Sequence, residues 1–374
     1  MISRSAFFVL IPFATTLFAF SIHPTVHQLQ LRRQSLHRLK LSTEKSEDTP
    51  QLIGIVAPLK YIGSYVCLQL DFPHLAGTSL TFLLDTGANV NAISKQLANK
   101  LDLPVVMKKE DLSILASAGA GGSFQPGDFV MLGDCQLGDM PKDQPNITFM
   151  TNLTAAAIDL GVANMFSNGL LGSSFFQCFP AGVEFDFHGT DGDPPTIIFY
   201  YGQSLPDWAK NNSLCVPIEE YWCGVPTIVV NVNGINMRAI IDTGSPITIL
   251  SPNAARQVGV ETAIFSKRIP FTTRGIDDAG INLSPSKNGA SISIGNIALG
   301  SVESVCVGDL PGLSLAGKLS DSDCPQMLLG LDALRRTYRM ILRLPHNEIW
   351  FERLSSHEQS PNTRERSRLY NPLQ

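Results

Sequence analysis

Two short stretches set the terms for the rest of this chain. Residues 82–88 read Phe-Leu-Leu-Asp-Thr-Gly-Ala and residues 239–245 read Ala-Ile-Ile-Asp-Thr-Gly-Ser. Each is an apolar run with the composition of a buried strand, ended by an acid, a hydroxyl and a glycine. A carboxylate at the end of a buried strand is costly unless hydrogen bonds or a partner compensate it. Glycine beside it lets the backbone turn tightly and offer N–H groups to that carboxylate. One such tripeptide is an ordinary strand-ending turn. Here there are two, each behind an apolar strand and each followed by a serine nine residues after the acid, Ser94 and Ser251.

A second repeated element makes the duplication explicit. Gly169-Leu170-Leu171-Gly172 closes 87 residues past Asp85, and Leu328-Leu329-Gly330 closes 88 past Asp242. The acids are 157 residues apart and the closing glycines 158 apart, so one unit occurs twice in tandem. Asp-Thr-Gly-Ala/Ser followed at this distance by Leu-Leu-Gly resembles the aspartic peptidases, and each half is more similar to a retropepsin unit than to a pepsin lobe. The resemblance covers roughly residues 60–353. It implies a mostly β, bilobal fold of two retropepsin-like β-barrel units related by a pseudo-twofold, with one active site between them.

Composition agrees with that class. The chain has 374 residues, 44% of them hydrophobic, which is enough to bury a sizeable core. Only 16% are charged, while 30 Gly and 24 Pro suit a turn-rich β protein. A net charge of −5 speaks against a nucleic-acid partner, which calls for a basic face. The seven cysteines show no metal-ligand spacing; Cys215 with Cys223 and Cys306 with Cys324 are short-range candidates for bridges, and buried reduced thiols are the alternative. The seven histidines are scattered, so no metal and no cofactor is expected.

Met1–Arg4 gives a basic start, and residues 6–20 are apolar with one break at Pro12, the pattern of a signal peptide over residues 1–19. Residues 20–43 lack acids and carry Arg32, Arg33, Arg38 and Lys40, so 20–55 reads as a transit-like or pro-segment. Entry to the secretory pathway is expected, with a secreted or vacuolar destination and a complex plastid both open, and no stable membrane span after leader removal. An N-terminal lobe is expected over 56–201, a polar linker over 202–214, a C-terminal lobe over 215–353 and a disordered tail over 354–374.

Within the first lobe, strands are expected at 65–72, 80–84 and 90–94, a helix at 95–103 and a second, Ala-rich helix at 154–166. Residues 183–187 and 196–200 form a closing hairpin, which 338–344 and 348–351 repeat in the second lobe. Gly119, Gly121 and Gly122 tip a hairpin in the place of a flap, and Gly275 and Gly280 mark its counterpart. No tyrosine lies between Tyr65 and Tyr200, so the first flap lacks the aromatic of pepsin-like enzymes; Phe124 is either a stand-in or a strand core residue.

The resemblance carries a chemistry onto these residues. Asp85 and Asp242 become a pair sharing one proton, activating water against a peptide carbonyl, with peptide or protein as substrate and a monomer as the working unit. Thr86 and Thr243 tie the two loops together, and Gly87 and Gly244 permit the close turn. Ser245 is placed to donate to Asp242 where Ala88 cannot serve Asp85, which makes Asp242 the more acidic partner. The alternative is a catalytically silent peptidase-like binding or regulatory module.

Overall fold

The computed structural model describes residues 54–108, 117–118, 124–125, 127–140, 148–189, 194–202, 204–219, 221–222, 225–262, 271–274, 280–309 and 326–353. Tyr65–Phe72 alternates Val66, Leu68, Leu70 and Phe72, all buried, with more accessible Gln69 and Asp71. It pairs antiparallel with Thr78–Leu84, Leu70 opposite Leu80, and on its other side with Phe129–Leu137, Leu70 opposite Leu137. Because one strand serves both neighbours, the sheet closes. Following the pairs Tyr65–Phe72, Thr78–Leu84, Gly169–Leu171, Ala92–Ser94, Met150–Ile158 and Phe129–Leu137 returns to the first strand, a six-stranded barrel. The second half repeats the order with Val225–Val232, Ile235–Ile241, Met327–Leu329, Ile249–Leu250 and Cys306–Gly308, and among the described residues it stays an open half-barrel. The protein is thus mostly β, built from two related β units.

One crossing recurs in both units and fixes the acids. Gly169–Leu171 lies parallel to Thr78–Leu84, with Leu171 beside Leu84, and antiparallel to Ala92–Ser94. Met327–Leu329 does the same between Ile235–Ile241 and Ile249–Leu250. The chain leaving Leu84 or Ile241 must therefore loop around the inserted strand before re-entering the sheet. That loop is the Asp-Thr-Gly turn.

Three expectations need correction. The Ala-rich stretch is not helical: Met150–Ile158 is a strand, followed only by a short 3₁₀ turn at Gly161–Met165. Its Ala156 and Ala157 pair parallel with Ala92 and Ile93, and the strand also pairs with Phe129–Leu137. Interior pairing on both edges overrides alanine's helix propensity. Nor do the two closing hairpins belong to separate lobes. Gly182–Asp186 pairs with Arg339–Arg343, Val183 opposite Leu342, so both hairpins join one six-stranded sheet bounded by Gly54–Pro58 and Ser213–Pro217. The expected irregular linker contains a helical turn, Asp207–Asn211. Trp208 donates its Nε1–H to buried Glu184 at 3.0 Å and stacks under Arg339, which in turn grips Glu352 with two hydrogen bonds. The signal peptide (1–19), the transit-like or pro-segment (20–55) up to residue 53, the tail (354–374), Cys223 and Cys324 lie outside the described residues, while Gly54 and Ile55 belong to the strand Gly54–Pro58.

The main core runs continuously through both units. Its largest aromatic knot, Phe149, Phe175, Phe179 and Phe199, has ring centroids from 4.8 Å apart (Phe149–Phe199) to 6.3 Å (Phe149–Phe175). The knot anchors the helical turn Ser173–Phe176, which directly follows Gly172, against the six-stranded sheet.

Candidate active site

The two Asp-Thr-Gly turns meet back to back at the centre of the molecule. Thr86 Oγ1 donates to Ile241 O (2.6 Å) and accepts from Thr243 N (3.0 Å). Reciprocally, Thr243 Oγ1 donates to Leu84 O (2.7 Å) and accepts from Thr86 N (3.1 Å). Both threonines are fully buried, so each hydroxyl satisfies one N–H and one C=O of the opposite unit that would otherwise stand unpaired. The reciprocity is a local pseudo-twofold axis.

That axis brings the carboxyls together. Asp85 N is bound to Leu171 O (3.0 Å) and Asp242 N to Leu329 O (3.1 Å), so the inserted strands set both turns identically. Each glycine packs against the acid of the other unit. A Cβ on Gly87 would lie 2.7 Å from Asp242 Cγ, and one on Gly244 would lie 2.5 Å from Asp85 Oδ1. Only glycine lets the turns approach this closely. Asp242 Oδ1 accepts the N–H of Gly244 (2.9 Å) and of Ser245 (3.0 Å), and Asp85 accepts those of Gly87 and Ala88. The carboxyls thus face each other across the axis, each against the glycine of the opposite unit.

Both acids are buried and both are pushed above the usual carboxylate range. For Asp85 burial is the main cause, followed by the negative charge of Asp242. For Asp242 burial again dominates, but the N–H groups of Gly244 and Ser245 and the hydrogen bond from Asp85 hold it to about 6. Two carboxyls this close share a proton between them. The expected hydroxyl bond from Ser245 to Asp242 is not made. Ser245 Oγ donates to Ile247 O (2.7 Å), two residues on, leaving only its backbone N–H for Asp242.

Sequence reading missed the residues that brace the turns. Asn91 and Thr248 both lie six residues past the acids. Asn91 Oδ1 accepts from Gly172 N (3.0 Å), and Thr248 Oγ1 accepts from Gly330 N (3.2 Å) while donating to Asp332 Oδ1 (2.6 Å). Equal spacing was the available signal, hidden because an amide and a hydroxyl do the same work. The repeated serines are explained as well: Ser94 and Ser251 each stand at the start of a short helix, Lys95–Lys100 and Pro252–Gln257, and Ser251 Oγ caps Ala254 N.

Of the flap glycines, Gly119, Gly121, Gly122 and Gly275 lie outside the described residues. Their flanks do form hairpins: Ser117–Ala118 pairs with Phe124–Gln125, which places Phe124 on a strand, and Phe271–Arg274 pairs with Gly280–Pro285. Among the described residues no group of His, Cys, Asp and Glu is arranged to hold a metal ion.

Two family models match the chain, one in each half. The aspartyl protease model covers residues 74–175 and the gag-polyprotein aspartyl protease model covers residues 228–336. No curated protein matches it.

Proposed function

Since the chain carries two aspartyl protease domains in tandem, we propose that it is an aspartic-type endopeptidase whose single active site is shared by Asp85 and Asp242. The observation that carries this reading is the meeting of the two buried carboxyls across the threonine-locked axis, each packed against the glycine of the opposite unit. With one proton between them, Asp242 takes a proton from a water held between the carboxyls as that water attacks the scissile carbonyl. Asp85 gives its proton to the carbonyl oxygen, and the resulting diol collapses with proton return to the leaving amine. No covalent intermediate forms. The backbone N–H groups at both turns keep the carboxyls in position without reorganisation during the reaction.

Both acids come from one chain, so a monomer suffices. The test is digestion of a denatured peptide library by the full-length protein across about pH 3 to 7.5, with and without a statine-type transition-state mimic. Cleavage with a bell-shaped pH profile, abolished by the mimic, is the expected result. Mimic binding without cleavage at any pH would transfer the chain to the binding modules.

A further inference from the structure

We propose that Glu184 is a proton-operated latch: ionised, it ties the connecting turn Asp207–Asn211 to the sheet shared by the two halves, and on taking up a proton in mild acid it lets that turn and the seam between the halves loosen. The latch stands apart from the acid pair and works whether or not the chain cuts peptides.

Glu184 belongs to the first half and is 1% exposed. Its strand, Gly182–Asp186, lies beside Arg339–Arg343 of the second half, with Glu184 opposite Ile341. Among the described residues, every hydrogen-bonding group at its carboxyl is a donor. Oε2 accepts from the Tyr200 hydroxyl at 2.7 Å, on the neighbouring strand, and from Trp208 Nε1–H at 3.0 Å, on the connecting turn. Oε1 faces the Arg339 guanidinium, with Nη1 at 3.8 Å. One carboxylate thus serves the first half, the second half and the segment that joins them. The turn it holds is only five residues long, too short to persist without its side chains being anchored.

Such surroundings fit an ionised acid and not a neutral one. An indole N–H and a guanidinium offer no acceptor. Burial and the charge of Glu184 push the Tyr200 hydroxyl up, so it too stays a donor. A proton on Oε1 points at the Arg339 guanidinium, and one on Oε2 meets two groups already donating there. Taking it up replaces charge-assisted hydrogen bonds by weaker ones and removes the ion pair across the seam. Burial brings that event to higher pH than in an exposed glutamate: it raises Glu184 against the lowering pull of Tyr200, Trp208 and Arg339, and Asp186 on the same strand adds to the rise. The other charges nearby have partners of their own. Asp186 accepts the N–H groups of His188 and Gly189, Glu352 takes two hydrogen bonds from Arg339, Arg343 pairs with Glu348, and Asp207 pairs with Lys210 on the turn itself. Arg339 therefore stays with Glu352 when Glu184 is neutralised, and the indole loses its anchor on the sheet. Because the folded value is the raised one, Glu184 contributes most to global stability in acid and less as pH rises. What acid loosens is local.

The experiment is amide hydrogen exchange of the full-length protein, read by mass spectrometry over residues 205–213 from about pH 4.5 to 7.5 and corrected for the intrinsic pH dependence of exchange. The reporters are the amides that close the turn, Ala209 and Lys210 bonded to Pro206 O and Asn212 bonded to Trp208 O. Their protection is expected to fall at least about tenfold from the neutral to the acid end, the effect of losing one charge-assisted bond. Glu184→Gln, which sets an amide donor against Arg339, is expected to show the acid level of protection at every pH. Trp208→Phe keeps a ring, removes the donor and should flatten the transition in the same way. Asp85→Asn, which changes the other buried acids, should leave the transition where it is. Flat protection in the wild-type chain overturns the latch, as does a full transition in Glu184→Gln or in Trp208→Phe. Neutral wild-type protection in Glu184→Gln overturns it as well, since an uncharged side chain would then hold the turn equally. Loss of the transition in Asp85→Asn moves the sensor to the acid pair and also overturns it.

Discussion

Around Asp85 the brace rests on one amide: Asn91 holds Gly172 and donates its Nδ2–H to Thr154 O at 3.2 Å, and Ser173 Oγ reaches Thr86 O at 3.3 Å. Around Asp242 it is layered. Thr248 holds Gly330 and is itself held by Asp332, whose other oxygen accepts from Ser304. The backbones of the two turns superpose in every hydrogen bond that defines the pseudo-twofold, yet the side chains behind them do not. What symmetry requires is confined to Thr86, Thr243 and the two residues whose carbonyls they bind, Leu84 and Ile241. Everything a step further out has been free to differ, and the differences fall on the side chains that brace each turn.

Breaking the symmetric part should have the largest effect. Thr86→Val leaves Ile241 O and Thr243 N buried without partners, and Thr243→Val does the same to Leu84 O and Thr86 N. Each is expected to cost roughly 2–5 kcal/mol in denaturant unfolding, by similar amounts. A large inequality between the two would show that the axis is not shared equally.

Acidity comes next. Both carboxyls have pKa values raised by burial, so the folded state keeps a proton that the unfolded chain releases. Stability is then fully present below the ordinary carboxylate pKa of about 4 and falls as pH rises towards the value of about 6 for Asp242. Asp85→Asn removes the like-charge repulsion and is expected to stabilise the protein above that window by roughly 1–3 kcal/mol. Melting temperature against pH checks this, and a variant less stable at neutral pH would reverse the sign.

The layered brace predicts a smaller, one-sided effect. Asp332→Ala strands two hydroxyls and should cost roughly 1–3 kcal/mol, whereas Ser174→Ala, at the matched position past Gly172, should stay within about 0.5 kcal/mol. Comparable losses would mean that the two halves are braced alike. Smallest of all, Ser245→Ala should cost about 1 kcal/mol and leave the acid limb of the pH–rate profile in place, since the hydroxyl serves Ile247 O. A shift in that limb would restore a direct bond to Asp242.

Much of this was legible because it rests on local sequence. Asp85, Asp242, the threonines and the glycines were found from a repeated tripeptide, and the strands leading to them from the apolar runs at 80–84 and 237–241. What was not legible depends on distant partners. Met150–Ile158 is a strand because two neighbours claim its edges, and the shared six-stranded sheet exists only once both halves are present. Ser245 was misread because a hydroxyl next to an acid has a second acceptor, Ile247 O, that only the folded turn brings within reach.

The central claim is that one site is made by two acids, one from each unit of the same chain. Asp85→Asn and Asp242→Asn, made separately in the full-length protein, test it by peptide-library cleavage. Each alone is expected to lower kcat/KM by at least about a hundredfold relative to wild type while the fold persists. Cleavage retained in either single variant would contradict a shared site and leave the two units acting apart.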